Sequence, residues 1–191
     1  MLNILKARFV QGYRTRKFPP DDKSFPDYFQ GAPCLQDVAC SKECRVCQEV
    51  CPVSAIIRKG DGIILDVGKC IFCKRCSEVC PQKRIVFTRE FRMAAAHRRD
   101  LLLEQGELPQ PECLGAELRK LFGRSFKLRQ VSAGGCNACE ADTNVLGTVG
   151  FDLGRFGIQF VASPRHADGL FVTGPVSKNM RRALEKTSQA T

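Results

Sequence analysis

One stretch of the sequence decides the fold, CIFCKRCSEVCP at residues 70–81. Its four cysteines and final proline follow the spacing C-x2-C-x2-C-x3-C-P, which is typical of cysteines that bind a [4Fe–4S] cluster. Two-residue spacings let a tight loop direct three thiolates toward one cluster and turn its backbone N–H groups to the cluster sulfurs. The proline ends the segment, so the fourth cysteine faces a different direction. The stretch therefore predicts an iron–sulfur site.

An altered copy of the motif comes earlier in the chain, CSKECRVCQEVCP at residues 40–52. Its first cysteine, Cys40, stands one residue before the expected position, which Ser41 occupies. A one-residue insertion is tolerated if the loop bulges, and Cys34 is a less favoured substitute because it lies further upstream. The other members keep the standard spacing: Cys44, Cys47, Cys51 and Pro52.

Paired motifs of this kind bind two clusters in a crossed pattern, in which the fourth cysteine of each motif ligates the cluster of the other. Cluster 1 is thus expected to take Cys40, Cys44, Cys47 and Cys80. Cluster 2 is expected to take Cys70, Cys73, Cys76 and Cys51. Zinc is the competing metal, because four-cysteine zinc sites also use C-x2-C pairs. Those sites usually need two pairs per metal and no trailing Cys-Pro.

The composition limits the class of protein. Twelve cysteines occur among 191 residues, and the first twenty residues contain no apolar run of signal-peptide length. Clustered cysteines in a chain without an export signal more often bind metal than form disulfides. The net charge of +10 fits a nucleic acid, a membrane surface or an acidic partner. No nucleic-acid reader motif accompanies the charge, so no nucleic-acid partner is expected.

The chain divides into four segments, for which we predict an α+β fold. Residues 1–33 form an N-terminal docking segment, in which Leu2, Leu5 and Phe9 share one face of a short helix. This helix either packs on its own domain or lies on a partner or the membrane interface. Residues 34–90 form a dicluster ferredoxin-like domain with nine cysteines and a hairpin turn at residues 60–62. The similar halves of this domain indicate a pseudo-twofold repeat.

Two segments with different predicted secondary structure make up the rest of the chain. Residues 91–125 are predicted to be a helical linker, with one helix closing at Gly106 and a second one after Pro111. Residues 126–191 alternate strands and helices, which is typical of a parallel sheet. With three strands, this segment is predicted to be a partial α/β domain.

A third cysteine pair, Cys136 and Cys139, follows Gly134-Gly135 and opens a predicted helix. Backbone N–H groups and the dipole at a helix start favour anionic sulfur, and the glycines let the backbone approach a cluster closely. A lone C-x2-C pair is a weak signal by itself. The pair is therefore a candidate for half of a third site.

Two resemblances sharpen these predictions. The segment LKARFVQGYRTRKFP, the GAP at residues 31–33 and the paired motifs resemble the ferredoxin-like subunit of formate hydrogenlyase-type complexes and the related two-cluster subunit of NADH:quinone oxidoreductase (complex I). The stretch from RQVSAGGCNACE through RFGIQFVASPRHADGLFVTGPVSKNM resembles the small subunit of membrane-bound, energy-converting [NiFe]-hydrogenases and its complex I relative. The C-x2-C spacing favours the hydrogenase branch, because the complex I form has two adjacent cysteines.

The second resemblance implies that Cys136 and Cys139 ligate a [4Fe–4S] cluster beside the catalytic site of a partner subunit. It also implies a place for Glu140 near a proton path, whereas an ordinary solvated helix-start glutamate is the alternative. That family supplies two more cysteines beyond the third strand, and this chain ends at Thr191 before them. We therefore expect an incomplete third cluster, from truncation or with ligands from a separate chain. Cys34 and Cys113 are expected to be buried or free thiols without a role.

Together these features predict an electron-transfer subunit rather than a complete enzyme. It would relay electrons through two [4Fe–4S] clusters in a hydrogenase-like or complex I-like assembly, on the inner face of the cell membrane. Its expected partners are a catalytic large subunit and membrane subunits, with no small-molecule substrate of its own. The alternative is a stand-alone soluble ferredoxin with a vestigial C-terminal part, and a regulator or maturation factor is the third hypothesis.

Metal analysis of the anaerobically purified protein tests the cluster count. We expect about eight irons per chain and two coupled EPR signals, because each [4Fe–4S] cluster holds four irons. About twelve irons would mean that the third site fills. Zinc without acid-labile sulfide would contradict the iron–sulfur interpretation.

Overall fold

The computed structural model describes residues 2–21, 25–41, 43–110, 120–123 and 125–191. The chain divides into two compact units. The cysteine-rich unit contains the described residues between 21 and 110. The α/β unit combines residues 2–20 with the described residues from 120 onward. The first boundary thus lies at residue 20, within the predicted N-terminal segment.

The cysteine-rich unit holds two small antiparallel sheets and two short helices. Strands β1 (Pro33–Leu35) and β4 (Ile85–Phe87) form one sheet, in which Leu35 pairs with Ile85. Strands β2 (Ile56–Lys59) and β3 (Gly62–Asp66) form a hairpin through Gly60 and Asp61, which confirms the predicted turn. Gly60 has a φ of 57°, which glycine adopts without steric penalty. Helices α2 (Val46–Glu49) and α3 (Arg75–Val79) carry the two cysteine motifs.

The core of this unit is apolar and lies between the two halves of the repeat. Alternating strand positions point inward, so Ile56, Leu65 and Ile85 are at most 2% exposed. Two motif cysteines, Cys47 and Cys76, belong to the same buried cluster. The packing of the core therefore fixes the positions of the cysteine motifs directly.

The predicted linker helix up to Gly106 is wrong. Residues 91–97 contain no helix, one 3₁₀ turn spans Arg98–Leu101, and strand β5 (Leu102–Leu103) pairs with β3. Leu103 and Leu108 are buried in the core of the cysteine-rich unit. Tertiary burial of these leucines has overridden the local helical pattern. The predicted second helix lies outside the described residues except for residues 120–123, of which 120–122 are helical.

The α/β unit contains a three-stranded parallel sheet in the order β7-β6-β8. Strand β6 (Phe126–Ser132) lies between β7 (Ile158–Phe160) and β8 (Gly169–Thr173) and pairs in parallel with both. Helix α4 (Ala138–Val145) follows β6, and α5 (Arg181–Gln189) follows β8. The alternation of strands and helices is the one predicted from the sequence.

The N-terminal helix α1 (Leu2–Gln11) has no buried residue. Leu2 and Phe9 are 84% and 89% exposed, so of the two alternatives left open by the sequence, the structure does not show the one in which the helix packs on its own domain. The chain attaches to the α/β unit only after the helix, where the Arg16 N–H donates to the Gly150 carbonyl and Phe18 contacts Phe156 edge-on. No helix in the described part of the chain is both long and apolar enough to cross a membrane.

An ion pair between the buried Asp66 and the half-exposed Arg98 joins the segment that was predicted as a linker to the loop that leads into the second motif. Both carboxylate oxygens of Asp66 lie 2.6 Å from Arg98 Nη2, and Asp66 is 6% exposed. Burial alone would raise the pKa of Asp66, but the hydrogen bond and charge of Arg98 hold that pKa below its usual value. The carbonyl of Asp66 also accepts from the N–H of Cys70. The pair therefore fixes the start of the cysteine loop.

Replacing Arg98 tests this connection. We expect Arg98→Met to lower the free energy of unfolding by about 1 kcal/mol, because the buried carboxylate keeps its contacts with Lys69 but loses its shortest hydrogen bonds, made by a half-exposed arginine. The matched control is Arg99→Met, whose side chain is 79% exposed and pairs with Asp100; surface changes of this kind stay within about 0.5 kcal/mol. Urea denaturation followed by circular dichroism measures both. Equal midpoints for the two variants would contradict the role of the ion pair.

Candidate metal centres

The structure brings the eight motif cysteines together around two cavities. The first cavity is lined by the four cysteines expected for cluster 1: Cys40, Cys44, Cys47 and Cys80. The second is lined by the four expected for cluster 2: Cys51, Cys70, Cys73 and Cys76. Each cavity thus combines three cysteines of one half of the repeat with one cysteine of the other half.

Short helices produce this crossed arrangement. Cys47 lies inside α2 and faces the first cavity, whereas Cys51 lies just beyond the end of α2 and faces the second. In the same way, Cys76 lies inside α3 and faces the second cavity, whereas Cys80 follows the last residue of α3 and faces the first. The proline after Cys51 and after Cys80 prevents further helix and directs the chain away.

The two cysteine loops differ in their backbone conformation. In the second loop, Phe72 and Lys74 have φ values of 55° and 64°, so the chain turns tightly around the cavity. The equivalent of Lys74 in the first loop is Arg45, which has a φ of −126°. The first loop also holds the displaced Cys40, which nevertheless lines the first cavity. The sequence insertion is therefore absorbed within the loop.

Backbone N–H groups donate to cysteine sulfurs at matching places in the two halves. The Ala55 N–H lies 3.2 Å from Cys51 Sγ, and the Arg84 N–H lies 3.3 Å from Cys80 Sγ. In the second loop, the Phe72 N–H donates to Cys70 Sγ at 3.3 Å. Such donors stabilise negative charge on sulfur. Residues 55 and 84 are donors that our spacing argument missed, although both stand four residues after the last cysteine of their motif.

Burial makes the isolated thiols weak acids. It raises the pKa of Cys47, and the neighbouring Cys80, Cys40 and Cys44 raise it further. Burial likewise raises the pKa of Cys76 to about 12, with Cys70 as the next cause. A thiolate at such a position needs positive charge beside it, which bound iron supplies while displacing the proton.

The donor set of each cavity suits a polynuclear iron–sulfur group. No three Cys, His, Asp or Glu side chains among the described residues are arranged to hold a single metal ion. The cysteines instead line each cavity in a group of four. Four thiolates around such a cavity, with N–H groups donating to sulfur, fit the requirements of a [4Fe–4S] cluster.

The third cysteine pair lies in the α/β unit, at the carboxyl end of the central strand. Cys136 and Cys139 are both exposed, and the intervening Asn137 has a φ of 72°. A Cβ atom on Gly174 would come within 2.7 Å of the Gly135 nitrogen, so only glycine permits this close approach between the two loops. Of the described residues in this unit, these two are the only cysteines.

Glu140 is not a freely solvated side chain. Its Oε1 accepts a hydrogen bond of 2.6 Å from the Thr173 hydroxyl, which lowers the pKa of the carboxyl, as does a second hydrogen bond from Ser132. Its Oε2 is buried without a partner among the described residues. Glu140 therefore ties α4 to β8 beside the exposed cysteine pair, and its place near a proton path stays a prediction.

The two remaining cysteines lie outside these sites. Cys34 is half-buried in β1, and burial raises the pKa of its thiol. Its sulfur accepts a long contact of 3.7 Å from the Gln36 amide. Cys113 lies outside the described residues. Cys34 contributes to neither cavity.

Comparisons with known proteins agree with this chemistry. Residues 39–85 match the family described as "4Fe-4S dicluster domain". The chain is 47% identical over 62 residues to the probable membrane-bound hydrogenase subunit mbhJ of Pyrococcus furiosus, a match that covers 32% of this chain and 37% of the relative. It is also 47% identical over 66 residues to formate hydrogenlyase subunit 7 of Escherichia coli, with 35% and 26% of the two chains covered.

A structural comparison finds the membrane-bound sulfane sulfur reductase, an archaeal respiratory membrane complex. The TM-score is 0.33 at 24% identity, over 50% of this chain and 57% of the other. The chain spans about a quarter to two fifths of the length of the two curated relatives. It therefore carries a ferredoxin-like 4Fe-4S domain and is homologous, over about a third of its length, to hydrogenase and formate hydrogenlyase subunits.

Proposed function

We propose that this chain is an iron–sulfur subunit that relays electrons through two [4Fe–4S] clusters in a membrane-associated [NiFe]-hydrogenase-like or complex I-like oxidoreductase. The observation that carries the proposal is the pair of cavities, each lined by four cysteines. When bound, each cluster supplies reversible one-electron chemistry. The chain itself supplies ligands and surroundings, and it is not a complete enzyme.

We assign the ligands according to the cavities. Cys40, Cys44, Cys47 and Cys80 hold cluster 1. Cys51, Cys70, Cys73 and Cys76 hold cluster 2. Cys47 and Cys51, which serve different cavities, are only four residues apart, one inside α2 and the other just beyond its end. The ligands therefore keep the two clusters close, as electron transfer between them requires.

Surface exposure distinguishes the two ends of the proposed path. Cys73, a proposed ligand of cluster 2, is exposed, whereas none of the four proposed ligands of cluster 1 is. Ile71, beside Cys73, is 57% exposed. Cluster 2 would therefore be the one nearer to solvent on this unit and accessible to an external redox partner.

Partner subunits are supported by the surface of the α/β unit. Parallel sheets are normally covered on both faces, yet Phe171 and Val172 on β8 are 37% and 41% exposed. Val149 and Phe156 in the same unit are 70% and 49% exposed. Apolar surface of this extent marks interaction sites. We therefore favour a subunit of an assembly, with a catalytic large subunit and membrane subunits as partners.

The position at the membrane is proposed to be peripheral, on its inner face and through partner subunits. The relatives named above are subunits of a membrane-bound hydrogenase and of formate hydrogenlyase. Helix α1 offers Leu2, Leu5 and Phe9 as a further exposed apolar face. Cys136 and Cys139 supply two ligands for a third cluster if other ligands come from elsewhere.

Paired cysteine substitutions test the crossed ligation. Cys51→Ser and Cys73→Ser affect the same cluster in our assignment, so the double variant should keep about four of eight irons. Cys51→Ser with Cys44→Ser affects both clusters and should lose all of them. Iron and sulfide analysis after anaerobic purification gives the counts. The opposite result, with four irons kept by the second pair, would show that each motif binds its own cluster.

Fractionation tests the assembly. We expect the chain, expressed at its natural level in its own cells, to sediment with membranes and to co-purify with a larger catalytic subunit. The same chain expressed alone in a foreign host serves as the control for intrinsic membrane affinity. A soluble monomer in its own cells would contradict the proposal and support a stand-alone electron carrier.

A further inference from the structure

The repeat allows the surroundings of the two cavities to be compared position by position. Cys51 and Cys80 are equivalent and lie 29 residues apart. The same offset relates Ala55 to Arg84 and Arg58 to Phe87. The motif cysteines other than Cys40 and the N–H donors at residues 55 and 84 obey this symmetry, but these two pairs of side chains break it. The difference places a buried positive charge beside the first cavity, whereas the cations beside the second are exposed.

Arg84 brings a buried cation to the first cavity. The residue is 7% exposed and lines the cavity, and one nitrogen, Nη1, donates to the carbonyl of Val38. Its Nε is buried and has no hydrogen-bond partner among the described residues. No ion pair with a carboxylate neutralises the guanidinium in the described part of the chain. A buried polar atom of this kind indicates a missing counter-group.

Arg58 adds a second cation on the same side. Its Nη1 donates to the carbonyl of the ligand Cys44 at 2.8 Å. Its Nη2 is buried without a partner among the described residues. A third unpartnered buried atom, Oε1 of Gln82, belongs to another residue that lines the first cavity. Three unsatisfied polar atoms thus belong to residues at or next to this one cavity.

The second cavity has apolar residues at the equivalent places. Ala55 replaces Arg84, Phe87 replaces Arg58, and Val53 replaces Gln82; all three line the cavity. Phe87 packs edge-on against Phe72, with 6.3 Å between ring centroids. The cations that do line this cavity, Lys74 and Arg75, are exposed. A charge in water acts about fourfold more weakly than one at the effective dielectric constant of a protein site, and salt screens it further.

We propose that Arg84, supported by Arg58, holds cluster 1 at a higher reduction potential than cluster 2. This inference rests on the proposed two-cluster function. Reduction adds one negative charge to a cluster, and a buried cation stabilises that charge, whereas an apolar wall does not. One electron that enters at the exposed cluster 2 therefore passes to cluster 1, so cluster 2 is reoxidised as cluster 1 is reduced. The two arginines set the direction of the internal step.

The test is an anaerobic redox titration followed by EPR, with dithionite as the reductant. The Cys44→Ser variant, which keeps only cluster 2, assigns the two signals. We expect cluster 1 of the unaltered chain to reduce first, and Arg84→Met to shift its midpoint to more negative potential while cluster 2 stays in place. Arg84→Lys, which keeps the charge, should have a cluster 1 midpoint close to that of the unaltered chain.

The salt dependence of the midpoint shift distinguishes a buried charge from an exposed one. The comparison variant Arg75→Met should shift cluster 2 only slightly, and the shift should vanish at high salt. The Arg84→Met shift should persist there. Equal midpoints in the unaltered chain, or an Arg84→Lys variant that behaves like Arg84→Met, would overturn the inference.

Iron content keeps the two proposals distinguishable. A chain with about eight irons but equal midpoints refutes the role of Arg84 and leaves the two-cluster function intact. A chain that binds fewer than two clusters refutes the proposed function itself. If Arg84→Met loses iron because the contact with Val38 is lost, Arg58→Met with its Arg58→Lys rescue decides the question. A midpoint of cluster 1 unmoved by Arg58→Met would then overturn the inference.

Discussion

The structure of the cysteine-rich unit depends on one constraint: each cavity must draw cysteines from both halves of the repeat. Cys51 and Cys80 reach across to the cavity of the other half, so neither half can complete a site alone. Helices α2 and α3 must therefore pack against each other. The inward residues Ile56, Leu65 and Ile85 of the two sheets form a core continuous with Cys47 and Cys76 of these helices. The cluster ligands and the hydrophobic core thus pack together as one unit.

Burial of the cysteine ligands determines the chemistry of the two sites, and it also makes ionisation of the free thiols costly. A buried thiol such as Cys76, whose pKa rises to about 12, is a poor anion by itself. The N–H groups of Ala55, Phe72 and Arg84 already point at sulfur, so the backbone is arranged for the anionic form before any metal binds. Iron supplies the remaining positive charge. Folding and cluster binding are therefore expected to be strongly coupled.

The parts of the fold that follow from local spacing could be predicted from the sequence, and those set by distant contacts could not. The motif spacings and the crossed pattern predicted which cysteines line each cavity, and Gly60-Asp61 predicted the hairpin turn. The leucines after Arg98 carry a helical pattern, but Asp66 binds Arg98 and β3 pairs with Leu102 and Leu103. Nothing near residue 100 in the sequence indicates the partner 32 residues upstream. From the sequence alone, Arg84 is likewise one cation in a basic stretch, and only the structure shows that it is buried.

The repeat separates two tasks that an electron relay must perform. The ligand positions and the N–H donors at residues 55 and 84 are duplicated, and this makes two cavities that are each lined by four cysteines. The side chains four residues after each Cys-Pro cysteine are free to differ, because they do not ligate. Ala55 at one position and Arg84 at the other leave the ligand geometry alone while changing the local charge. In our proposal, the fold therefore fixes how far the electron travels, and these non-ligand residues fix which way it goes.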